Sequence, residues 1–393
     1  MRVTMETRKE ITKATRQRYQ KASREGKGKI LDEICEITGW HRKHAIRVLN
    51  EPVLPPARRG SKRLAGPKEA RGRRPVYTDE ALATLRKVWA ILDCPCGKRL
   101  AAVMGETLDA LIRLKEVDVT EATYDSLCRV SAATCDRLLV HDREKVFLKG
   151  RPTTKPGTLL RSQIPVRTFA DWDEGYPGFL EAGLVAHCGA STAGEYVNSL
   201  DATDIATGWT ETRAAADKAA VHTKDAIEAV RRNLPFPLLG IDSDNGSESV
   251  NDILFRYCKD NRITFTRSRP NKKNDCCYVE GKNWHVVRKP VGYDRYEGQG
   301  AAGLLNQVYD RLRLSANFFS PQQKLIEKVR DGAKVKKRYD TAKTPYRRIM
   351  EDDGFAPEVK KALERQYLSL NPVTIRKEIL LLVQELHRLA RRP

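Results

Sequence analysis

The sequence predicts a multidomain α + α/β protein. Helical domains come first, a five-stranded mixed sheet with helices on its faces follows, and a helical, basic region ends the chain. Three observations carry that expectation. Apolar residues recur at helical spacing through 30–50 and 78–140. Between 179 and 266 the texture changes to short apolar runs bounded by Gly, Pro, Asn and Asp, interrupted by two helical periods. Two stretches rich in Pro, Gly and Arg, 52–77 and 151–168, separate these textures. The domain boundaries that follow are 1–51, 78–150, 169–300 and 301–393.

Charge narrows the choice of partner. The 393 residues include 72 Lys and Arg against 51 Asp and Glu, a formal net charge of +21. Such an excess points to a polyanion, and nucleic acid leads because the sequence offers no lipidation signal and no basic amphipathic anchor. No apolar run approaches the ~18 residues of a membrane helix. Met1–Glu10 carries charge but no apolar core of a secretory signal. Nine cysteines without such a signal favour reduced thiols over a disulfide framework.

In the first domain Ile30, Leu31, Ile34 and Ile37 give one helical period, Gly39 interrupts it, and Ala45, Ile46, Val48 and Leu49 restart it. A helix, a tight turn and a second helix follow from that pattern, with Ala45 and Val48 on the inner face. The second helix opens with His41, Arg42, Lys43 and His44 and adds Arg47. A helix-turn-helix places such early residues in the major groove, where basic groups suit phosphates and guanines. An ordinary helical hairpin with a basic solvated face is the competing reading. In the linker, Arg71-Gly72-Arg73-Arg74-Pro75 is similar to short arms that lie in narrow minor grooves. A nonspecific basic tether fits equally well. The second domain opens on the cap signal Thr78-Asp79-Glu80, followed by Leu82, Leu85, Val88, Trp89 and Leu92. Tyr124, Leu127 and Val130, then Leu138 and Leu139, suggest a weaker second helix-turn-helix. Cys94-Pro95-Cys96 has the wrong spacing for a zinc ribbon.

The central strands are expected at 179–187, 196–200, 208–212, 238–241 and 263–266, with helices at 214–232 and 248–261 between the later ones. Two carboxylates stand out. Asp244 lies just past a strand end, where an open sheet presents ligands. Glu280 opens a helix expected to run from Tyr278 to about Arg288, and 35 residues separate the two. Hard oxygen ligands at a strand end suit Mg²⁺, and two such ions can drive phosphoryl transfer. Basic residues crowd the intervening loop and the helix: Arg267, Arg269, Lys272, Lys273, Lys282, Asn283 beside them, and Arg288. His187, on an apolar strand, reads as a satisfied core histidine rather than a ligand.

Asp244-Asn245-Gly246-Ser247-Glu248, the 35-residue gap, Val279-Glu280-Gly281-Lys282-Asn283, Val291-Gly292-Tyr293 and Thr207-Gly208-Trp209 together resemble the catalytic core of bacterial insertion-sequence DDE transposases of the retroviral-integrase superfamily. The resemblance spans roughly 165–350. It implies an RNase H-like core with an Asp, Asp, Glu triad, two Mg²⁺ (or Mn²⁺) ions per active site, and DNA end cleavage followed by strand transfer. It further implies double-stranded DNA partners (transposon ends and target), a homo-oligomer, and a cytoplasmic, nucleoid-associated bacterial setting. Asp244 and Glu280 would be metal ligands. The loop and helix around Glu280 would grip the transposon end. The chain departs from the pattern at the first acid: the resemblance places it at Gly183, in Glu181-Ala182-Gly183-Leu184-Val185-Ala186-His187-Cys188-Gly189. Glu181, Asp201, Asp204, Asp242, Asp171 and Asp173 are the acids near enough in sequence to weigh as substitutes, with Asp204 at a non-catalytic family position. The favoured expectation is a transposase disabled, or trapped before cleavage, by Gly183; the alternative is a non-catalytic, sequence-specific DNA-binding protein derived from a transposase.

Overlapping the end of the resemblance, Leu304, Leu305, Val308, Tyr309 and Leu312 predict a helix over 301–313. The run 324–346 is strongly basic, with Tyr339 and Tyr346 interleaved, and reads either as a nucleic-acid surface or as a solvated face. Two last helices are expected at 357–368 and 372–391. Ile375, Ile379, Leu382 and Leu386 form an apolar stripe for packing.

Overall fold

A computed structural model describes residues 5–50, 76–144, 166–167, 176–217, 220–243, 248–268, 281–331 and 334–391. The chain divides into two compact units, 1–74 and 75–393. The first contains α1 (Met5–Lys21), α2 (Arg24–Thr38) and α3 (Arg42–Asn50). Ser23 caps α2 by accepting from the Gly26 amide, and Gly39 ends it at φ 68° with its N–H on the Cys35 carbonyl. That left-handed residue is what glycine supplies most cheaply at a helix C-terminus. Tyr19, Ile30, Leu31, Ile34, Ala45 and Leu49 form the core. The inner face of α3 is therefore Ala45 and Leu49, while Val48 is half-buried and Ile37 and Ile46 are exposed. The long polar helix α1, absent from the sequence expectation, covers the pair.

The second unit begins with six helices: α4 (Asp79–Ile91), α5 (Gly97–Ala102), α6 (Met104–Arg113), α7 (Glu121–Cys128), α8 (Ala132–Leu138) and α9 (Val140–Glu144). Thr78, Thr120 and Ser131 cap α4, α7 and α8 through their hydroxyls. Leu85, Val88, Leu100, Leu108, Leu111 and Leu127 are fully buried and join one apolar cluster with residues from the rest of the unit. Asp93 ties this helical layer to Lys289 and Arg376.

The mixed sheet has six strands, in the order β1-β6-β5-β2-β3-β4. They are β1 (Val166–Arg167), β2 (Phe179–Ala186), β3 (Asn198–Asp204), β4 (Thr210–Ala215), β5 (Gly240–Ser243) and β6 (Thr264–Ser268). The five expected strands are present. The count is corrected by β1, a two-residue edge strand parallel to β6 that the Pro-rich connector concealed. β2, β3 and β4 are antiparallel, whereas β2, β5 and β6 are parallel and connected through α10 (Ala220–Asn233) and α11 (Glu248–Asp260). β3 runs four residues further than the expected end at Leu200, because its second half, Asp201-Ala202-Thr203-Asp204, buries polar side chains.

Alternation along the strands divides the sheet into two unlike faces. Leu180, Ala182, Leu200, Ala202, Ile241 and Phe265 form an apolar face against α10 and α11. The opposite face carries a buried polar row, Thr266, Asp242, Glu181, Thr203 and Thr210, in register across five strands.

A helical stretch after Glu280 is π-helical over Asn283–Arg288 and returns to α in α12 (Lys289–Val291), where a continuous α-helix was expected. Next comes α13 (Gly298–Leu314), ending in a second π-helical turn, Ser315–Phe319. The helix α13 and the turn that ends it each aim one amide at the outer edge of β4. Asn306 and Asn317 each accept from and donate to one strand residue, Ala214 and Thr210 respectively, at 2.8–3.1 Å. Side chains thus complete a strand edge that would otherwise stay unpaired.

The C-terminal region is not wholly helical. Leu325–Asp331 (β7) and Lys334–Tyr339 (β8) form an antiparallel hairpin, followed by α14 (Pro345–Glu351), α15 (Pro357–Ser369) and α16 (Pro372–Arg388). Dense charge hid the alternation Leu325, Glu327, Val329 from the sequence reading. Ile375, Ile379 and Leu386 of α16 are buried in the main cluster, as the apolar stripe predicts.

Candidate functional site

Gly183 lies in the middle of β2, on the polar face with Glu181. Its antiparallel partner is Asp201 of β3, and the partner of Asp201 is Thr212 of β4. Directly opposed residues in a sheet project to the same side. On the other flank, Ala182 pairs with Ser243, the last residue of β5. Asp244 follows Ser243 directly and lies outside the described residues. Glu280 precedes the described helical stretch by one position and also lies outside them, as do Arg269, Lys272, Lys273, Asp171 and Asp173.

Asp201 is fully buried. Its Oδ1 accepts from the Thr212 hydroxyl at 2.7 Å, while Oδ2 has no hydrogen-bond partner among the described residues. Burial pushes its carboxyl well above the usual range, against the pull of Thr212 and Lys282. Lys282, two residues past Glu280, donates to the Gly208 carbonyl at 3.5 Å, and burial lowers its ammonium. Lys282 lies close enough to Asp201 for the two charges to attract, which favours the charged form of each.

The other acids are placed differently. Asp204 pairs with Leu180 and so points to the apolar side. Both its oxygens are taken, by the amides of Gly178 and Thr207 and by the Thr207 hydroxyl at 2.6–2.8 Å. It fastens the tight β3–β4 turn. Asp242 accepts from the Thr266 hydroxyl at 2.6 Å beside Glu181. On β4, Glu211 is fully buried and paired to Arg313 of α13 at 2.7 and 2.8 Å, with the Trp209 indole donating at 2.8 Å. His187 is a core histidine: Nε2 contacts the Ser199 hydroxyl at 2.8 Å, which reaches Tyr309 at 2.7 Å. Burial holds its imidazole down at about 3.

The basic residues divide by exposure. His41, Arg42, Lys43 and Arg47 are exposed on α3, His44 is half-buried against Trp40, and Arg42 pairs with Asp32. Arg288 is committed to the fold: it donates to the Ala186 carbonyl at 2.8 Å and its guanidinium lies 4.8 Å over Tyr293. Asn283 is half-buried, and its Oδ1 has no hydrogen-bond partner among the described residues. Of Arg267 only the backbone pairing is described. Arg71, Arg73 and Arg74 lie outside the described residues.

No three His, Cys, Asp or Glu side chains converge as a metal cluster among the described residues. The donor chemistry still fits a hard cation: Asp201, with an oxygen that accepts no hydrogen bond among the described residues, shares this buried polar face with Glu181 and Asp242. The register of Gly183 with Asp201, and the unbonded Oδ2, were not readable from the sequence. No signal local to 201–204 distinguishes Asp201 from Asp204, which face opposite sides of the sheet. None of the described helices is long and apolar enough to cross a membrane.

No family model matches the sequence. Two solved structures show limited likeness. The catalytic core domain of BIV integrase has 15% identity and a TM-score of 0.27, covering 48% of this chain and 97% of that one. A simian T-cell lymphotropic virus intasome has 12% identity and a TM-score of 0.30, covering 63% of this chain and 76% of that one. Among curated proteins, the uncharacterized protein y4rM of Sinorhizobium fredii is 40% identical over 351 residues, covering 88% of this chain and 96% of its own length. The chain belongs to the family of that rhizobial protein.

Proposed function

We propose that this chain is a DNA transposase of the retroviral-integrase superfamily, which binds the ends of its element and carries out end cleavage and strand transfer. The observation that carries the reading is the sheet register. Gly183, where the family pattern expects its first acid, sits mid-strand on a buried polar face, one pair beyond the Ala182–Ser243 match that Asp244 follows. The strand order supports it too, with three antiparallel strands extended by two parallel crossovers. Asp244 and Glu280 would hold Mg²⁺ or Mn²⁺. When bound, such ions supply Lewis acidity to the transferred phosphate. Lys282 and Asn283 would hold the transposon end beside that phosphate. The exposed basic residues of α3, and Arg71, Arg73 and Arg74, would bind the terminal repeats. A homo-oligomer would bring two ends together, in a nucleoid-associated cytoplasmic setting.

One observation favours a second reading. With Gly at 183, the triad as the family builds it lacks a carboxylate, which suits a DNA-binding protein derived from a transposase.

The test is strand transfer of a pre-cut end bearing the element's own terminal repeat into plasmid DNA, with Mg²⁺ or Mn²⁺. Joined product is expected, and it should vanish in Asp244→Asn. End binding without joining, in both the parent chain and Gly183→Asp, would replace the transposase reading with the DNA-binding one.

A further inference from the structure

We propose that Asp201 supplies the carboxylate that Gly183 lacks, as a direct ligand of the divalent cation. The inference rests on the transposase reading above and deepens it. Asp201 is the residue hydrogen-bonded across the sheet from Gly183, so its side chain rises on the same face, one strand spacing away, about 4.8 Å. Gly183 itself brings no side chain to that face. Thr212 holds Oδ1 of Asp201 from the β4 side. The other oxygen, Oδ2, is buried without a hydrogen-bond partner among the described residues.

A buried carboxylate oxygen without a donor is unfavourable in any fold. A divalent cation held by Asp201 would supply the missing contact to that oxygen. The alternatives are less well placed. Glu181 shares the face but stands two residues, about 6.7 Å, along the strand. Asp204 faces the opposite side with both oxygens engaged. Asp242 belongs to the Glu181 row and is bonded to Thr266. Lys282, two residues past Glu280 in the sequence, carries the charge that attracts Asp201.

The experiment titrates the full-length chain with Mn²⁺ alone and reads free Mn²⁺ by electron paramagnetic resonance. Four forms are compared: the parent, Asp201→Asn, Asp244→Asn, and Asp201→Asn combined with Gly183→Asp. Asp201→Asn is expected to weaken Mn²⁺ binding on the order of tenfold or more. Gly183→Asp in that background should restore it by returning a carboxylate to the neighbouring strand, which a purely structural role for Asp201 would not permit. Parent-like binding in Asp201→Asn with loss in Asp244→Asn would overturn the assignment while leaving the transposase reading standing. A loss in Asp201→Asn that Gly183→Asp does not restore would also overturn it. Unchanged binding in Asp244→Asn would remove both readings together.

Discussion

Replacing Arg313 by Met should show how tightly the outer edge of the sheet depends on one buried ion pair. Arg313 makes two hydrogen bonds to Glu211, at 2.7 and 2.8 Å, and one to the Asn233 carbonyl at 3.2 Å. The Glu211 side chain is 0% exposed and that of Arg313 17%, so water compensates little. Removing one partner of such a pair leaves a charge buried without a counter-ion and costs about 3–5 kcal/mol. For a unit of roughly 300 residues the unfolding entropy is roughly 0.6 kcal/mol per degree, so the melting midpoint should fall by about 5–8 °C. Scanning calorimetry at pH 7 measures this. Burial already raises the Glu211 carboxyl. The folded state therefore accepts a proton more readily than the unfolded chain, and the penalty in Arg313→Met should shrink as pH falls toward 5. Glu211→Leu combined with Arg313→Met should recover most of the loss, because an apolar pair replaces a broken ionic one. A single variant that melts within 2 °C of the parent, or a double variant worse than the single, would refute the claim that charge compensation fixes this edge.

Three further outcomes are expected. His187 stays neutral in the fold at about 3, well below its unfolded value, so the stability it confers is present above about pH 6.5 and falls by about 1.4 kcal/mol per unit as pH drops; the urea midpoint of His187→Gln should vary less between pH 7 and 5 than the parent's. Asn317→Leu should cost about 2–4 kcal/mol by stranding the amide and carbonyl of Thr210, and amide exchange at Thr210 should quicken. On the DNA-binding reading, Lys43→Ala should lower the slope of log affinity against log salt by about 1, read by fluorescence anisotropy on a terminal-repeat duplex, with no change in melting.

Elements that carry their own punctuation were legible. Gly39, Thr78 and Pro372 mark helix ends by local chemistry, and the helices that end at Thr38 or begin at Asp79 and Pro372 lie where those residues put them, whereas the start of α2 at Arg24, ahead of the apolar period from Ile30, was not read. Strands β2, β5 and β6 were legible because each is a short apolar run between turn residues. β3 was cut short, since a strand buried on both faces by Asp, Thr and Asn looks like a loop to any hydropathy reading. The β7–β8 hairpin was lost under its lysines and arginines. Register was beyond reach altogether: nothing local to Gly183 or Asp201 says that they face each other, because the β2–β3 pairing is set by contacts distant in sequence, among them the Gly178 amide on Asp204 and the Ile205 amide on the Phe179 carbonyl. For the same reason the amides of Asn306 and Asn317 gave no sequence signal, their partners lying 92 and 107 residues away.

The acids of the sheet separate into two kinds by what meets their oxygens. Asp204 receives three donors and Glu211 receives a guanidinium and an indole, so each is neutralised or solvated by the protein itself. These serve the fold, and they show that this chain does satisfy a carboxylate where structure alone requires one. Asp201 is equally buried and feels the charge of Lys282, yet it has one hydroxyl donor and a second oxygen with no hydrogen bond among the described residues. Thr or Asn at 201 would spare the sheet that desolvation without disturbing the pairing of β3 with β2 and β4. Local rules that a fold breaks without compensation tend to mark function. That oxygen belongs to the residue paired with Gly183, and on the proposed metal-site reading the two features go together: with glycine at 183, a carboxylate could reach the cation from this pair only through the free oxygen of Asp201.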